Sequence, residues 1–313
     1  MTKFRIPTRE PGSNMIFHVG ALIAVTAWGA SFISTKVLLN NGMTAVEIYI
    51  YRFIIAYIFT LLICPRPFFS HTLRDELMFF LCGVCGGSVY FIAENTAVVY
   101  TLVSNVSLIV TLSPLITAMI VAALYKSEHV SRGVIVGSFV SLIGVGCVIF
   151  NSSVNLEVNP LGDLLALLAA VCWAVYSVIL RPLSSIYGAW FITRKTFFYG
   201  IVTALPFLLL DSHHSSLSIF LVPEVAGNIL FLGLFASLIA YLLWGQAVKH
   251  LGAVKSGNYL YFSPIVTLVL SAWLLSEYVS LTGYIGCALI LMGLILAEKI
   301  GSRHRESNNS KPH

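Results

Sequence analysis

Three charged side chains lie inside apolar stretches of the sequence, where an isolated charge is unfavourable. Glu94 is near the end of the apolar stretch 77–99. Lys36 ends the first such stretch, and Arg52 lies early in the second. An acid in hydrocarbon costs roughly 2.5–3.5 kcal/mol or more unless it is paired or hydrated. We therefore interpret the three residues as one charge cluster, which is either a structural ion pair between helices or an outer gate that binds a charged solute or couples to protons.

Aromatic side chains form a second group of candidates for binding a solute. They are Trp28, Tyr90, Trp173, Tyr176, Tyr241 and Trp244. Trp28 in AVTAWGASF and Trp173 in LAAVCWAVYS occupy matched settings in the two halves of the chain. Aromatic rings at such positions either pack between helices or line a cavity for a partly apolar solute, and the pattern does not decide between the two.

Uncharged amides and hydroxyls are concentrated near the third, fourth and ninth apolar stretches. The candidates are Asn95, Asn105, Asn258 and Tyr259. Buried groups of this kind hydrogen-bond a zwitterionic solute or bridge neighbouring helices. Both roles stay open at this stage.

Several chemistries have no support in the sequence. The chain contains no nucleotide-binding G-x-x-x-x-G-K-[ST] loop, no zinc-binding H-E-x-x-H and no nucleophile elbow G-x-S-x-G. We expect no enzymatic activity, no catalytic residues, no cofactor and no metal. The six cysteines lie in apolar stretches, where Cys behaves as a small hydrophobe, so no disulfide framework is expected.

The candidate residues belong to a sequence that repeats itself. Residues 94–114 return as residues 244–264, and each copy ends in a Ser-Pro pair inside an apolar run. Further on, Gly137 returns as Gly286 and Gly144 as Gly293. A Ser-Pro pair after a short polar break is typical of two apolar helices joined by a tight turn.

Composition identifies the class of protein. The chain is 58% hydrophobic and 10% charged, whereas soluble domains are about a quarter charged. Ten apolar runs have roughly the 20-residue length that crosses a bilayer. They are Ile16–Leu39, Ala45–Cys64, Leu77–Val99, Val103–Tyr125, Gly133–Phe150, Leu161–Leu183, Ile192–Leu210, Ile229–Leu251, Tyr259–Leu275 and Leu281–Glu298. We predict an all-α integral membrane protein with ten transmembrane helices.

The basic residues predict the orientation of these helices. With the amino terminus in the cytoplasm, 16 of the 18 Lys and Arg residues fall on the cytoplasmic side, as the positive-inside rule requires. Each repeat then has five spans, an odd number, so the second repeat is inverted relative to the first. Inverted repeats are the common plan of secondary transporters. The net charge of +5 follows from this topology and does not indicate nucleic-acid binding.

These boundaries predict five regions. Residues 1–15 are a cytoplasmic segment, 16–150 the first five-helix repeat, 151–160 an outer linker, 161–298 the second repeat and 299–313 a cytoplasmic tail.

The order and spacing of many short motifs resemble those of a known family. The motifs are Trp28-Gly29, Phe32 and Lys36, then Arg52-Phe53, Ala97, Thr101, Pro114, Glu128, Gly137 and Gly144, and in the second half Trp173-Ala174, Ala247, Pro264, Glu277, Gly286 and Gly293. Over Ile16–Lys299 the chain resembles the drug/metabolite transporter superfamily and, within it, the EamA family of ten-helix carriers. The resemblance implies export of small metabolites, most often amino acids, across a bacterial plasma (inner) membrane.

One departure from the superfamily concerns proton coupling. Its four-helix multidrug members carry a proton-coupling Glu in the first span, whereas the stretch 16–39 has no acid here. Proton coupling would therefore need Glu94.

Together these patterns predict a secondary transporter that exports amino acids or related amphipathic compounds by alternating access through a central cavity. Its expected partners are a small-molecule substrate and the lipid bilayer, without nucleic acid, and we expect a monomer. Other interpretations are a membrane sensor or scaffold without transport, a channel, or a carrier of nucleosides or drugs. Saturable flux with counterflow separates the carriers from the rest.

Overall fold

The computed structural model describes residues 15–100, 103–124, 132–149, 160–211, 214–274 and, near the carboxyl end, 281–282, 284–286, 288–293 and 295–296. Over these ranges the chain is helical and contains no strand. The first half contains α1 (Met15–Asn40), α2 (Ala45–Ile63), α3 (Leu73–Tyr100), α4 (Val103–Val110), α5 (Ser113–Leu124) and α6 (Arg132–Ile149). The second half contains α7 (Pro160–Ile186), α8 (Ala189–Leu210), α9 (Pro223–Leu251), α10 (Ala253–Asn258), α11 (Ser263–Leu274) and α12 (Tyr284–Gly293).

Five helices, α1, α2, α3, α7 and α9, are long and apolar enough to cross a membrane. Large apolar side chains point away from the protein on many helices, such as Leu62 on α2 and Trp273 on α11, which are 72% and 77% exposed. In water such a surface would be a liability, whereas in a bilayer it faces lipid. An all-helical fold suited to a membrane is thus confirmed, and the count of ten spans stays a prediction.

The fourth and ninth predicted spans are not continuous helices. A turn at Thr111 and Leu112 separates α4 from α5, and a 3-10 turn at Tyr259–Phe262 separates α10 from α11. Each break comes just before a Ser-Pro pair. Proline has no backbone N–H and its ring collides with the carbonyl one turn earlier, so the helix ends there and starts again.

Two of the five long helices begin more than one turn earlier than the sequence predicts. α3 starts at Leu73 because the Thr72 side chain accepts a hydrogen bond of 3.1 Å from the backbone N–H of Asp75 and caps the helix. α9 starts with Pro223, a residue suited to the first turn because it has no N–H to leave unpaired.

Each of these two helices also contains a wider π-helical segment, Val84–Ser88 in α3 and Phe231–Ile239 in α9. The two segments occupy corresponding positions in the repeat. The sequence analysis did not predict them. A π segment shifts the backbone hydrogen bonds from the fourth to the fifth residue and leaves carbonyl groups available to other donors.

Helix packing follows the repeat. α1 packs on α9 and α11, and its counterpart α7 packs on α3 and α5. α2 packs on α9 as α8 packs on α3, while α2 and α8 pack on each other. Each of these contacts between the halves is therefore matched, because the equivalent helix of the other half makes the same contact.

A glycine contact between α6 and α12 follows the same rule. A side chain at Gly144 would come within 2.7 Å of the Gly286 carbonyl oxygen, and one at Gly293 within 2.5 Å of the Gly137 carbonyl oxygen. Glycine lets the two backbones approach this closely. Since Gly286 is the repeat of Gly137 and Gly293 the repeat of Gly144, the contact is reciprocal and the two helices run antiparallel.

Candidate functional site

The centre of the molecule is an aromatic cluster built from both halves. The rings of Trp28 on α1 and Trp173 on α7 meet edge to face, with centroids 4.9 Å apart. Trp244 on α9 packs against Trp28 at 5.2 Å and is fully buried. Edge-to-face pairs of this kind add to the stabilisation that burial alone gives. The predicted pairing of Trp28 with Trp173 is thus a direct contact.

The π segments fix this cluster in place. The indole Nε1 of Trp28 donates a hydrogen bond of 2.8 Å to the carbonyl oxygen of Ala236, inside the π segment of α9. In the other half, the Tyr241 hydroxyl donates to the carbonyl oxygen of Gly86, inside the π segment of α3. Each half therefore supplies a backbone carbonyl that accepts a hydrogen bond from an aromatic residue of the other half.

A cavity of about 40 Å³ lies beside the cluster. Its apolar wall consists of Trp28, Phe32, Tyr90, Phe91, Val110, Trp173 and Leu260. A cavity of this volume holds a few water molecules, because one water needs roughly 10–15 Å³ on this measure. An amino acid does not fit until the surrounding helices separate.

The polar wall of the cavity consists of Ser31, Glu94, Ser107, Thr111, Ser113 and Ser263. Glu94 is 8% exposed, and its Oε1 accepts a hydrogen bond of 2.6 Å from the Tyr90 hydroxyl. Three residues of the lining each carry a buried polar atom without a partner in the part of the chain that the structure describes: Oγ of Ser107, Oγ of Ser113 and Nε1 of Trp173. Buried polar atoms without partners are unfavourable, so a ligand or water that reaches them when the cavity widens would satisfy them.

The predicted charge cluster does not form direct ion pairs. The Nε of Arg52 donates to the Ser237 hydroxyl at 2.8 Å, and its guanidinium carbon lies 4.5 Å from the centroid of the Phe91 ring. Lys36 is exposed. Within the described ranges neither cation makes an ion pair with Glu94. Tyr90 is one helical turn from Glu94 on the same face and reaches the carboxylate first, so the structural ion pair is replaced by this hydrogen bond.

Four of the predicted binding residues line the cavity: Trp28, Tyr90, Glu94 and Trp173. Three others, Tyr176, Tyr241 and Trp244, are buried behind that layer in contact with Trp173.

The amides and the remaining tyrosine serve other contacts or stay untested. The Nδ2 of Asn95 donates to the Ala45 carbonyl oxygen at 3.1 Å and so joins α3 to α2. The Tyr259 hydroxyl lies 2.5 Å from Nδ1 of His18. Asn258 is buried and its Oδ1 has no partner in the described ranges, but it does not line the cavity. The side chain of Asn105 lies outside the described residues.

Sequence reasoning missed Ser113 and Ser263 as cavity residues. Both side chains line the cavity, although they come from different halves of the chain. The repeated Ser-Pro pair was the available signal. A helix break exposes backbone and side-chain polar groups at its start, which is where a ligand can reach them.

Comparison with known proteins places the chain in a family. The sequence profile of the EamA-like transporter family matches residues 15–150 and again residues 160–298. The chain belongs to the EamA-like transporter family. The resemblance noted from the sequence motifs is confirmed, and this EamA-family chain is a multi-pass membrane protein.

Individual relatives cover most of this EamA-family chain. It is 28% identical to the uncharacterized transporter YyaM of Bacillus subtilis (strain 168), over 74% of this chain and 76% of that protein. It is 27% identical to an uncharacterized transporter of Archaeoglobus fulgidus, over 88% and 95%. A protein of Streptantibioticus cattleyicolor named a probable terminal-alkyne amino-acid exporter is 29% identical, over 75% and 77%. A solved crystal structure at 20% identity superposes with a TM-score of 0.72, over 94% of this chain and 99% of that one, which supports the fold.

Proposed function

We propose that this protein is a secondary transporter that exports amino acids or related amphipathic metabolites by alternating access, across a bacterial inner membrane. The observation that carries the proposal is the cavity shared by the two halves. Trp28 with Trp173, and Ser113 with Ser263, are pairs that the sequence repeat relates, and all four side chains line it. A site built on the seam between two repeats can open to either side when the halves move relative to each other.

The proposal includes ten spans, in two inverted repeats at 16–150 and 161–298, with both termini in the cytoplasm. The reciprocal glycine contact between α6 and α12 supports the inversion, because equivalent helices meet antiparallel. If α4 with α5, and α10 with α11, each form one broken span, the described helices give five spans per repeat. Broken helices beside the substrate site are a recurring feature of secondary transporters.

The lining of the cavity suits an amphipathic solute. Trp28, Tyr90 and Trp173 provide faces and edges for an apolar group, and Glu94 with the cavity hydroxyls provides polar contacts. Tyr176, Tyr241 and Trp244 hold that layer from behind. The relative named as an amino-acid exporter agrees with this choice of cargo. Since the cavity now holds about 40 Å³, it must widen to admit a solute.

Counterflow in reconstituted vesicles tests the proposal. Vesicles loaded with an unlabelled amino acid should take up the labelled one faster than empty vesicles, with saturable kinetics. Trp28→Ala should raise the apparent KM by roughly tenfold or abolish flux, because it removes a wall of the cavity. The matched control is Trp273→Ala, since Trp273 is 77% exposed on α11 and should leave flux unchanged. Binding without counterflow for every amino acid would instead indicate a sensor.

A further inference from the structure

The charged side chains that line the cavity are all of one sign. Its described lining contains one carboxylate, Glu94, and no Lys, Arg or His side chain. Arg52 is outside the lining, and its guanidinium lies over Phe91 while its Nε bonds to Ser237. We propose that the cavity recognises its solute by a primary amine, whose ammonium group binds Glu94, and that an amine with an apolar tail binds whether or not it also carries a carboxylate. This inference rests on the proposed transport function.

The surroundings of Glu94 prepare it to accept an ammonium group. The Tyr90 hydroxyl holds Oε1, while Oε2 has no partner among the described residues. A charge-assisted hydrogen bond to that oxygen would neutralise the buried carboxylate. The rings of Tyr90 and Trp173 lie beside it, with centroids 5.0 Å apart, and an ammonium near their faces gains cation–π attraction.

The opposite end of an amino acid finds only neutral partners. Ser107, Ser113 and Trp173 line the cavity, and their buried polar atoms are unpartnered among the described residues, so they can donate hydrogen bonds to a carboxylate once the cavity widens. Such bonds orient the group but do not neutralise its charge. A solute with a carboxylate and no amine would bring a second negative charge beside Glu94, which is unfavourable in a poorly hydrated site. The amine is therefore the required group and the carboxylate an accessory one.

Three probes distinguish the contribution of the amine to binding from that of the carboxylate. They are phenylalanine, phenethylamine and 3-phenylpropionate. They share a phenyl ring that suits the aromatic wall, and they differ in the amine and the carboxylate. Binding is measured on the purified protein by titration calorimetry and by quenching of tryptophan fluorescence. We expect phenylalanine and phenethylamine to bind with dissociation constants within about tenfold of each other, and 3-phenylpropionate to bind at least about tenfold more weakly. Binding of 3-phenylpropionate as tight as that of phenethylamine would overturn the proposal, and this comparison needs no variant.

A variant then assigns the recognition to Glu94. Glu94→Gln keeps an oxygen that accepts from the Tyr90 hydroxyl, so the fold should survive while the negative charge is lost. Phenethylamine binding should weaken by roughly tenfold or more. Glu224→Gln makes the same change of charge at an exposed position in the first turn of α9 and should not alter binding. Unchanged phenethylamine binding by folded Glu94→Gln would contradict the assignment.

The outcomes for amine recognition and for transport are distinguishable. Phenethylamine binding that depends on Glu94, without counterflow of phenylalanine or phenethylamine, would support the amine site and reject transport of these solutes. Counterflow of phenylalanine without binding of phenethylamine would reject amine recognition and leave transport intact.

Discussion

Trp28 and Trp173 occupy equivalent positions in the repeat, but their indole N–H groups have different surroundings. Trp28 donates to the Ala236 carbonyl at 2.8 Å. The Nε1 of Trp173 is buried and has no partner in the described part of the chain, although the residue lines the cavity. The two equivalent residues therefore differ in role: Trp28 joins α1 to α9, whereas the indole N–H of Trp173 is a donor for the solute only under the proposed function.

This difference predicts unequal costs for the same substitution. Both Trp28→Phe and Trp173→Phe remove part of a buried ring, but only Trp28→Phe removes a hydrogen bond, the one to the Ala236 carbonyl. Trp28→Phe should therefore be about 1 kcal/mol more destabilising than Trp173→Phe. Thermal or denaturant unfolding of the two purified variants in the same detergent measures the difference. Equal loss of stability would contradict the role given to the indole N–H.

At the scale of residues, the sequence indicated some of the site. The contact between Tyr90 and Glu94 follows from their spacing of one helical turn. The repeat relates Trp28 to Trp173, but it does not by itself predict that their rings touch. The position of Arg52 was not predictable, because its partner Ser237 is distant in sequence and lies in a π segment. The pairing of charges was inferred from their shared depth in the membrane, which does not say which side chains point at each other.

At the scale of helices, close packing depends on glycine at a few positions. Gly29 on α1 lies against α11, and a side chain there would come within 2.8 Å of the Ser263 carbonyl oxygen and of Cβ of Val266. The Gly29 carbonyl oxygen also accepts a hydrogen bond of 3.0 Å from the Thr267 hydroxyl. This contact holds the broken ninth span against the first.

Gly29→Ala should therefore push α1 away from α11. Overpacking of this kind typically costs about 1–3 kcal/mol, and we expect a lower unfolding temperature together with weaker solute binding, because both helices border the cavity. The matched control is Gly245→Ala in α9, where a side chain would meet nothing within 4 Å. It should be neutral or slightly stabilising, as Ala is favoured over Gly in a helix. A Gly29→Ala protein as stable as Gly245→Ala would show that the approach of the two helices is not required.

The positions of the helices were largely predictable from the sequence, but the π segments inside two of them were not. Apolar runs of sufficient length locate the spans, and the Ser-Pro pairs locate the breaks before Pro114 and Pro264. The π segments could not be predicted, because VCGGS in one copy and FLGLFASLI in the other share no pattern. A π turn is stabilised by tertiary contacts, here the donors Trp28 and Tyr241 from other elements.

At the scale of the molecule, the two halves make equivalent contacts with each other across their interface. α1 packs on α9 as α7 packs on α3, so the same set of contacts exists twice. Two arrangements of such a structure, one open to each side, can have similar energies because each half can adopt the conformation of the other. The repeat in the sequence predicts this relation, whereas the narrowness of the cavity depends on side-chain packing between helices, which no sequence pattern gives.

Access to the cavity from the two sides of the membrane tests alternating access most directly. Ser113→Cys and Ser263→Cys each place a thiol on the cavity lining, in a variant whose six native cysteines are replaced. A membrane-impermeant thiol reagent is applied to right-side-out and to inverted vesicles, with and without a bound solute. Ser88→Cys is the control, because Ser88 is as buried as Ser113 but lies off the cavity, beside Thr203.

Alternating access predicts that both cavity thiols react from either side, that solute changes the rate on each side, and that the Ser88→Cys thiol stays unreactive. Reaction from one side alone, unaffected by solute, would contradict the account.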